Sequence, residues 1–479
     1  MRANGLDWVP RVRETPAAAL AGSETVGELV TVALAALAEG VRDRGGPIPA
    51  GGPTAADAAI ADLPALPVEG IGAEAAIAEL SAILAAGSAD PVDPWCAAHL
   101  HCPPLAVAAA ADLVASVLNP SMDSWDQAPA ASAIERALAD DLARLAYPSA
   151  DRPDALITSG GTESNLTALL LARETLGADT VVVSGDNAHH SVARAAWLLG
   201  LPKPVPVATT DDRIDLGALA ATLAELRRPA VVVATAGTTN SGAIDPLTEI
   251  ADLTRAAGAW LHVDAAYGGA LLFSRHRALA VKGLDRADSI ALDLHKLGWQ
   301  PIAAGILVCR DRSLTALLDT NADYLNAVDD TEAGLPDLLG RSLRTSRRPD
   351  AFKIVVTTRA LGTSGLGLLV DRCCENAAAV ARAVADHPAL RLWAAPSLST
   401  VLLRPTAADD LPPEEGDELV AAVRRALLDD GAAVLGRATL RTPTGTALWL
   451  KLTLLHPHAT PADYLPLLDL VAEKADRCR

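Results

Sequence analysis

Aromatic side chains make up only 3% of this chain, and methionine occurs twice in 479 residues. A core built from clustered rings is therefore not expected. The hydrophobic share is nonetheless 50%, much of it alanine, which favours helix and close packing. Cysteine is scarce as well. Cys96, Cys102, Cys309, Cys373, Cys374 and Cys478 form no CxxC pair and no His/Cys ligand spacing, so no metal centre is expected. Reduced thiols in a cytosol are the simpler reading, with Cys373 and Cys374 as helix packing. Basic residues are in deficit: 40 Lys and Arg against 59 Asp and Glu give a formal charge of −19. Such a surface repels phosphate backbones and anionic lipid, which argues against nucleic-acid and membrane partners. Long apolar runs are missing. The longest, 105–118, is broken by Asp112 and falls short of the roughly 18 residues a membrane span needs. The opening MRANGLDWVPRVRETP lacks the apolar core of a signal peptide, so a soluble, cytoplasmic protein is expected. A GxGxxG turn is absent too, which argues against a nicotinamide oxidoreductase.

What is there is a globular chain long enough for two or three packed units. Up to about residue 100 it reads as helices around a turn-rich insert at 45–53, followed by helices at 104–118 and 131–146. From about 155 the pattern changes. Strand candidates at 155–158, 180–184, 230–237, 259–266, 289–295 and 304–310 alternate with helical stretches at 162–176, 189–200, 215–227 and 246–258. That alternation predicts an α/β fold with a mostly parallel sheet covered on both faces. Residues 311–350 break the rhythm as a long polar connector, of the kind that forms functional lids or is disordered. A long helix from about 351 leads into a smaller unit with strands at 398–405 and 447–455.

In a parallel sheet, ligands sit where strands end and helices begin. SGGTESN (159–165) follows a strand and opens a helix. Gly160 and Gly161 allow close backbone approach, Thr162, Ser164 and Asn165 add donors, and the free helix N–H groups suit a phosphate. A plain glycine-rich cap fits the segment equally well. Asp264 ends one strand and Asp293-Leu294-His295-Lys296 ends the next, a separation of 296 − 264 = 32 residues. A desolvated lysine amine attacks an aldehyde cofactor, and a pyridine ring draws electrons only while an acid keeps its nitrogen protonated. Each part alone is commonplace; a strand-tip Asp, a strand-tip Lys and an upstream phosphate cradle together point to pyridoxal phosphate. His189 and His190 open a helix, where one imidazole can stack on a flat ring while the other faces solvent. Thr238 and Thr239 are either cofactor donors or turn residues before a helix capped near Asp245.

These segments resemble the group II pyridoxal-phosphate decarboxylases. The resemblance rests on HLHCPP (99–104), NPSMDSWDQAP (119–129), SGGTESN, AHHSV (188–192), TAGTT (235–239), HVDAAYGG (262–269), DLHK (293–296) and TSRRPDAFK (345–353), in order along residues 95–375. It implies the pyridoxal-phosphate-dependent transferase fold type I, like aspartate aminotransferase. A helical segment over 1–100 would be exchanged in a homodimer, with a large seven-stranded domain over 101–365 and a small α/β domain over 366–479. Lys296 would be the Schiff-base lysine, Asp264 the partner of the pyridine nitrogen, and His189 the residue stacked on the ring. Gly160, Gly161 and Thr162 would hold the phosphate with His295 beside it and Thr239 nearby. Ala266 would pack on the ring's other face. Asp293 stands where animal aromatic decarboxylases have Asn.

HLHCPP and NPSMDSWDQAP are most similar to bacterial enzymes acting on 2,4-diaminobutyrate, lysine or ornithine. Decarboxylation of such an L-amino acid to its amine and carbon dioxide is therefore implied, with glutamate or an aromatic amino acid as alternatives. Candidate substrate contacts are His101, Cys102, Pro104, Tyr324 and Arg347; Arg347 and the adjacent Arg348 equally suit structural roles at a helix start. The chain departs from the aromatic branch in one respect. That branch carries a lid tyrosine as proton donor, whereas 328–346 has none and Leu338 and Leu339 lie near its place. His189 or a water is the substitute, and an aldehyde synthase is the alternative outcome.

Overall fold

In the computed structural model, which describes residues 16–319, 327–442 and 445–479, the β-branched runs become strands. β1 (Asp154–Thr158), β2 (Val181–Gly185), β3 (Val205–Val207), β4 (Ala230–Thr235), β5 (Trp260–Ala265), β6 (Ser289–Asp293) and β7 (Gly305–Cys309) form one sheet, ordered β1-β7-β6-β5-β4-β2-β3. Only β7 runs against the rest, pairing antiparallel with β1 and β6. Every residue of these strands except β3 is buried, which is why they read as continuous apolar runs. The sequence reading lacks β3 because Pro206 sits in it. At a sheet edge a missing N–H is tolerated.

Helices α1 (Ser23–Arg44), α2 (Gly52–Ala59), α3 (Ala73–Gly87), α4 (Ala106–Leu118) and α5 (Pro129–Ala146) precede the sheet. α6 (Gly161–Leu176), α7 (His190–Leu198), α8 (Leu216–Glu225) and α9 (Leu247–Ala256) connect its strands. α6 and α7 press Leu169, Leu171, Val192 and Ala195 onto Leu156, Val182, Val231 and Trp260 on one face.

α10 (Asp350–Asp386) then joins two cores. Leu366, Val370 and Cys373 pack in the large one, and Ala377, Val380 and Val384 in the smaller. Its length and composition would suit a membrane span, but these burials take up its apolar face. Gly362, at φ 70°, breaks the helix where a side chain would be strained, and the boundary expected at 365/366 falls just beyond it. The smaller core is a second sheet of β8 (Leu390–Leu392), β9 (Thr400–Pro405), β10 (Val434–Thr442) and β11 (Gly445–Thr453), backed by α11 (Pro413–Asp429) and α12 (Pro461–Cys478). Cys96–Ala97 adds a parallel edge strand beside β10. Residues within the expected N-terminal helical segment therefore complete a sheet built from the other end of the chain.

Candidate active site

The register of the large sheet brings the two acids together. Asp264 lies opposite Thr235 of β4 and Ala291 of β6, and Asp293 is two residues beyond Ala291. Strand side chains alternate faces, so Asp264, Ala291 and Asp293 share one face, the face covered by α6 and α7. The chain turns after Asp293, and Lys296 Nζ lies 2.9 Å from Asp293 Oδ2. His295 Nε2 lies 3.5 Å from the same oxygen. Cys102 Sγ–H donates to the His295 carbonyl at 3.2 Å, and Leu105 N–H donates to the Trp299 carbonyl at 2.9 Å. The HLHCPP segment thus straps the lysine turn from outside.

The glycine pair faces this cluster. A Cβ on Gly160 would come within 3.0 Å of His295 Cε1, and one on Gly161 within 2.9 Å of Ala266 Cβ and 3.2 Å of Asp293 Oδ2. Gly160 caps α6 and Thr162 is exposed in its first turn, so free N–H groups and a hydroxyl open onto the space. Asp293 Oδ1 and His295 Nδ1 are buried without a hydrogen-bond partner among the described residues. Orphaned buried polar atoms beside a glycine cradle fit a polar group lodged there, such as the phosphate and ring of pyridoxal phosphate.

His189 caps α7, its Nδ1 receiving the Ser191 N–H at 3.3 Å and lying 2.8 Å from Ser191 Oγ. Burial pushes its pKa below the ordinary histidine value; Asp264 opposes the shift, while His190 and Lys296 add to it. Burial also lowers the His295 pKa, against the pull of Asp293. His190 is exposed, its ring centroid 4.1 Å from that of His189. Thr239 is exposed, and its carbonyl accepts a 2.8 Å hydrogen bond from Lys451 of the smaller core. Thr238 instead donates to Asp212 inside the turn.

Several expectations need correction. Of the donors assigned to the phosphate cradle, Ser164 is buried against Thr158 and Asn165 against Asp264, leaving Thr162. Arg347 is held by two 2.6 Å hydrogen bonds to Glu135, with 1% of its side chain exposed, so it cannot reach out to a ligand. Arg348 pairs with Asp112 on α4. Cys102 is buried, with its pKa pushed up by burial to about 12, and acts as a strap rather than a surface contact. His101 and Pro104 on either side of Cys102 and Pro103 are exposed. Asp245 does not cap α9; its carboxylate receives the N–H groups of Ile214 (2.8 Å) and Thr235 (2.7 Å). Tyr324 lies outside the described residues. Leu338 and Leu339 are buried on a short turn beside Arg341, which pairs with Asp154.

Sequence reasoning missed His262 and Lys451, and misassigned Asn165. His262 was legible, because two residues before Asp264 on a strand means the same face. Lys451 has no local signal, since only the meeting of the two cores brings it to Thr239. A separate groove of about 810 Å³, between Arg213 and Trp393 and Trp449, contains none of Lys296, Asp264 or His189.

Comparison with known proteins identifies the family. The chain is 43% identical over 427 residues to L-2,4-diaminobutyrate decarboxylase of Rhizobium meliloti (strain 1021), covering 87% of this chain and 85% of that protein. It is 34% identical to the Acinetobacter baumannii enzyme of the same name, over 86% of each chain. Among solved structures, it resembles the glutamate decarboxylase domain of a diaminobutyrate-pyruvate transaminase and L-2,4-diaminobutyrate decarboxylase from Vibrio parahaemolyticus. That match has a TM-score of 0.81 and 31% identity, over 95% of this chain and 96% of that one. The pattern of the pyridoxal-dependent decarboxylase conserved domain matches residues 65–405, and the chain belongs to that family.

Proposed function

We propose that this protein decarboxylates an L-diamino acid, with L-2,4-diaminobutyrate the first candidate. The observation that carries the reading is the convergence of Lys296, Asp293 and Asp264 on one face at the ends of adjacent strands, beside the Gly160–Gly161 cradle. The names of the relatives from Rhizobium meliloti and Acinetobacter baumannii support the substrate.

Pyridoxal phosphate, when bound, supplies an aldehyde for an amine and a protonated pyridine that draws electrons from the Cα–carboxylate bond. The protein's residues supply the rest. Lys296 presents its amine, held by Asp293. Gly160, Gly161, Thr162 and His295 are assigned to the phosphate, Thr239 beside it. Asp264 would present its carboxylate to the ring nitrogen, with Ala266 and His189 assigned to the two ring faces. With no tyrosine in 328–346, His189 Nε2 or a water it orients is the proposed proton donor to Cα. His101 and Pro104, exposed on the strap beside the lysine turn, remain the proposed substrate contacts.

A homodimer fits the large apolar side chains left exposed on the N-terminal segment: Leu34, Leu66, Val68, Ile71 and Leu84. Six cysteines without a disulfide fit a cytoplasmic setting. The test is a panel of 2,4-diaminobutyrate, ornithine, lysine, glutamate and aromatic amino acids, scored for carbon dioxide, amine and hydrogen peroxide. Amine and carbon dioxide from a diamino acid support the reading. Hydrogen peroxide with aldehyde replaces it by an aldehyde synthase.

A further inference from the structure

We propose that Asn165 and His262 are positioning residues that set the hydrogen-bonding state of both Asp264 and His189 through one directed chain of hydrogen bonds. The inference rests on the reading that Asp264 meets the ring nitrogen of the cofactor and His189 one face of the ring.

The Asp264 end determines the direction: a carboxylate only accepts, so the Asn165 amide turns Nδ2 to Asp264 Oδ2 and Oδ1 to His262 Nε2, which carries the proton. That Nε2 lies 2.9 Å from Asn165 Oδ1. Complete burial lowers the His262 pKa to about 4 against the pull of Asp264, so the ring is neutral at pH 7. A neutral His262 with its proton on Nε2 accepts at Nδ1, and the Ser289 hydroxyl 2.9 Å away is the donor. Trp260 Nε1–H can only donate, and it faces Ser289 Oγ at 3.3 Å. The two Asn165 Nδ2 hydrogens go to Asp264 Oδ2 at 2.8 Å and Ser191 Oγ at 2.9 Å. Ser191, having accepted one hydrogen, gives its own to His189 Nδ1 at 2.8 Å. The Ser191 N–H points to the same nitrogen. His189 therefore accepts at Nδ1 and keeps its proton on Nε2.

Asn165, His262, Ser289 and Ser191 are each at most 1% exposed, so the chain is closed to bulk solvent. Asp264 receives one further hydrogen, from Ala266 N–H at 3.1 Å, and forms no ion pair with a basic side chain among the described residues. Asn165 is thus the side chain that presents a donor to this carboxylate, and the same amide reaches the histidine on the neighbouring helix. One residue couples the carboxylate assigned to the ring nitrogen with the histidine assigned to the ring face.

The test uses Asn165→Asp, His262→Phe and His262→Gln in the full-length protein, stripped of pyridoxal phosphate and reloaded. Ring-nitrogen chemical shifts of His189 and His262 are read in the stripped protein, and cofactor affinity by visible absorbance on reloading. In the wild type, both rings should be protonated at Nε2 and bare at Nδ1. Asn165→Asp, which sets one acceptor against another at unchanged size, should weaken cofactor binding roughly 10- to 100-fold and move the His189 shifts. His262→Gln, whose amide N–H can serve Asn165 Oδ1, should recover most of what His262→Phe loses; a space-filling role would favour Phe instead.

A His189 protonated at Nδ1 in the wild type, or wild-type shifts and affinity in Asn165→Asp, would overturn the proposal. Should Asn165→Asp not fold, Ser191→Ala decides, since cutting that branch must move the His189 shifts. A wild-type chain that takes up no pyridoxal phosphate would sink the cofactor reading, while the shifts in the stripped protein still judge the hydrogen-bond chain.

Discussion

Lys296 Nζ lies 2.9 Å from Oδ2 of Asp293, three residues earlier, while the other oxygen of that carboxylate is buried without a hydrogen-bond partner among the described residues. The amine is thus held at the mouth of the glycine cradle by a group with acceptor capacity to spare. Lys296→Ala should leave a folded protein that shows no visible absorbance from covalently held pyridoxal phosphate and releases no carbon dioxide. Turnover at the wild-type rate would refute the assignment of this lysine.

Asp293→Asn keeps the size of the side chain and an oxygen to accept from Lys296, but exchanges a charge-assisted hydrogen bond for a weaker neutral one. Cofactor should still load, with turnover lower by about tenfold. Asp293→Leu removes the acceptor and should lose far more. Equal damage from the two substitutions in cofactor-loading assays would show that size, not hydrogen bonding, matters here.

Arg347 and Glu135 form a buried two-point ion pair. Arg347→Ala strands the Glu135 charge and should lower unfolding free energy by about 3–5 kcal/mol, measured by urea titration. The double variant Arg347→Met/Glu135→Leu should regain most of it. KM of the surviving folded enzyme should change little; a large KM rise in a stable Arg347 variant would restore this arginine as a substrate contact.

His262 is fully buried, and burial lowers its pKa from the ordinary value to about 4. Above about pH 6.5 the ring is neutral whether the chain is folded or not, and contributes no pH dependence. Between about pH 6.5 and 4 the unfolded chain takes up a proton that the folded one refuses, so stability falls as pH falls. The stability difference between wild type and His262→Gln should therefore shrink by roughly 3 kcal/mol across that window. Parallel curves for the two proteins, from denaturant titrations at each pH, would contradict it.

The central sheet was legible because strands buried on both faces must be continuously apolar, and the helices between them carry a 3.6-residue period. All six helices expected between residues 104 and 258 lie within two residues of the limits observed. The smaller core was half legible. β9 and β11 are apolar runs, but β10 alternates buried and exposed residues, with Arg437, Thr439 and Arg441 on its outer face, and so reads as polar chain. Lys296, Asp264 and the glycine pair were legible because each sits at a strand end, where the chemistry of an α/β sheet is concentrated. Arg347 misled because a charged residue in a motif looks the same whether it meets a ligand or a buried glutamate.

The order of residues by itself determined the alternation of strands and helices, and placed an acid at the ends of two successive core strands with an amine just beyond. Those are local consequences of side-chain shape and hydrophobic period. Which partners these side chains meet was decided only in three dimensions. Asn165 is 99 positions from Asp264, Ser191 is 26 from Asn165, and Lys451 is 212 from Thr239. A buried polar atom must find its complement among whatever packing brings within about 3 Å, and no periodicity along the chain encodes that neighbour.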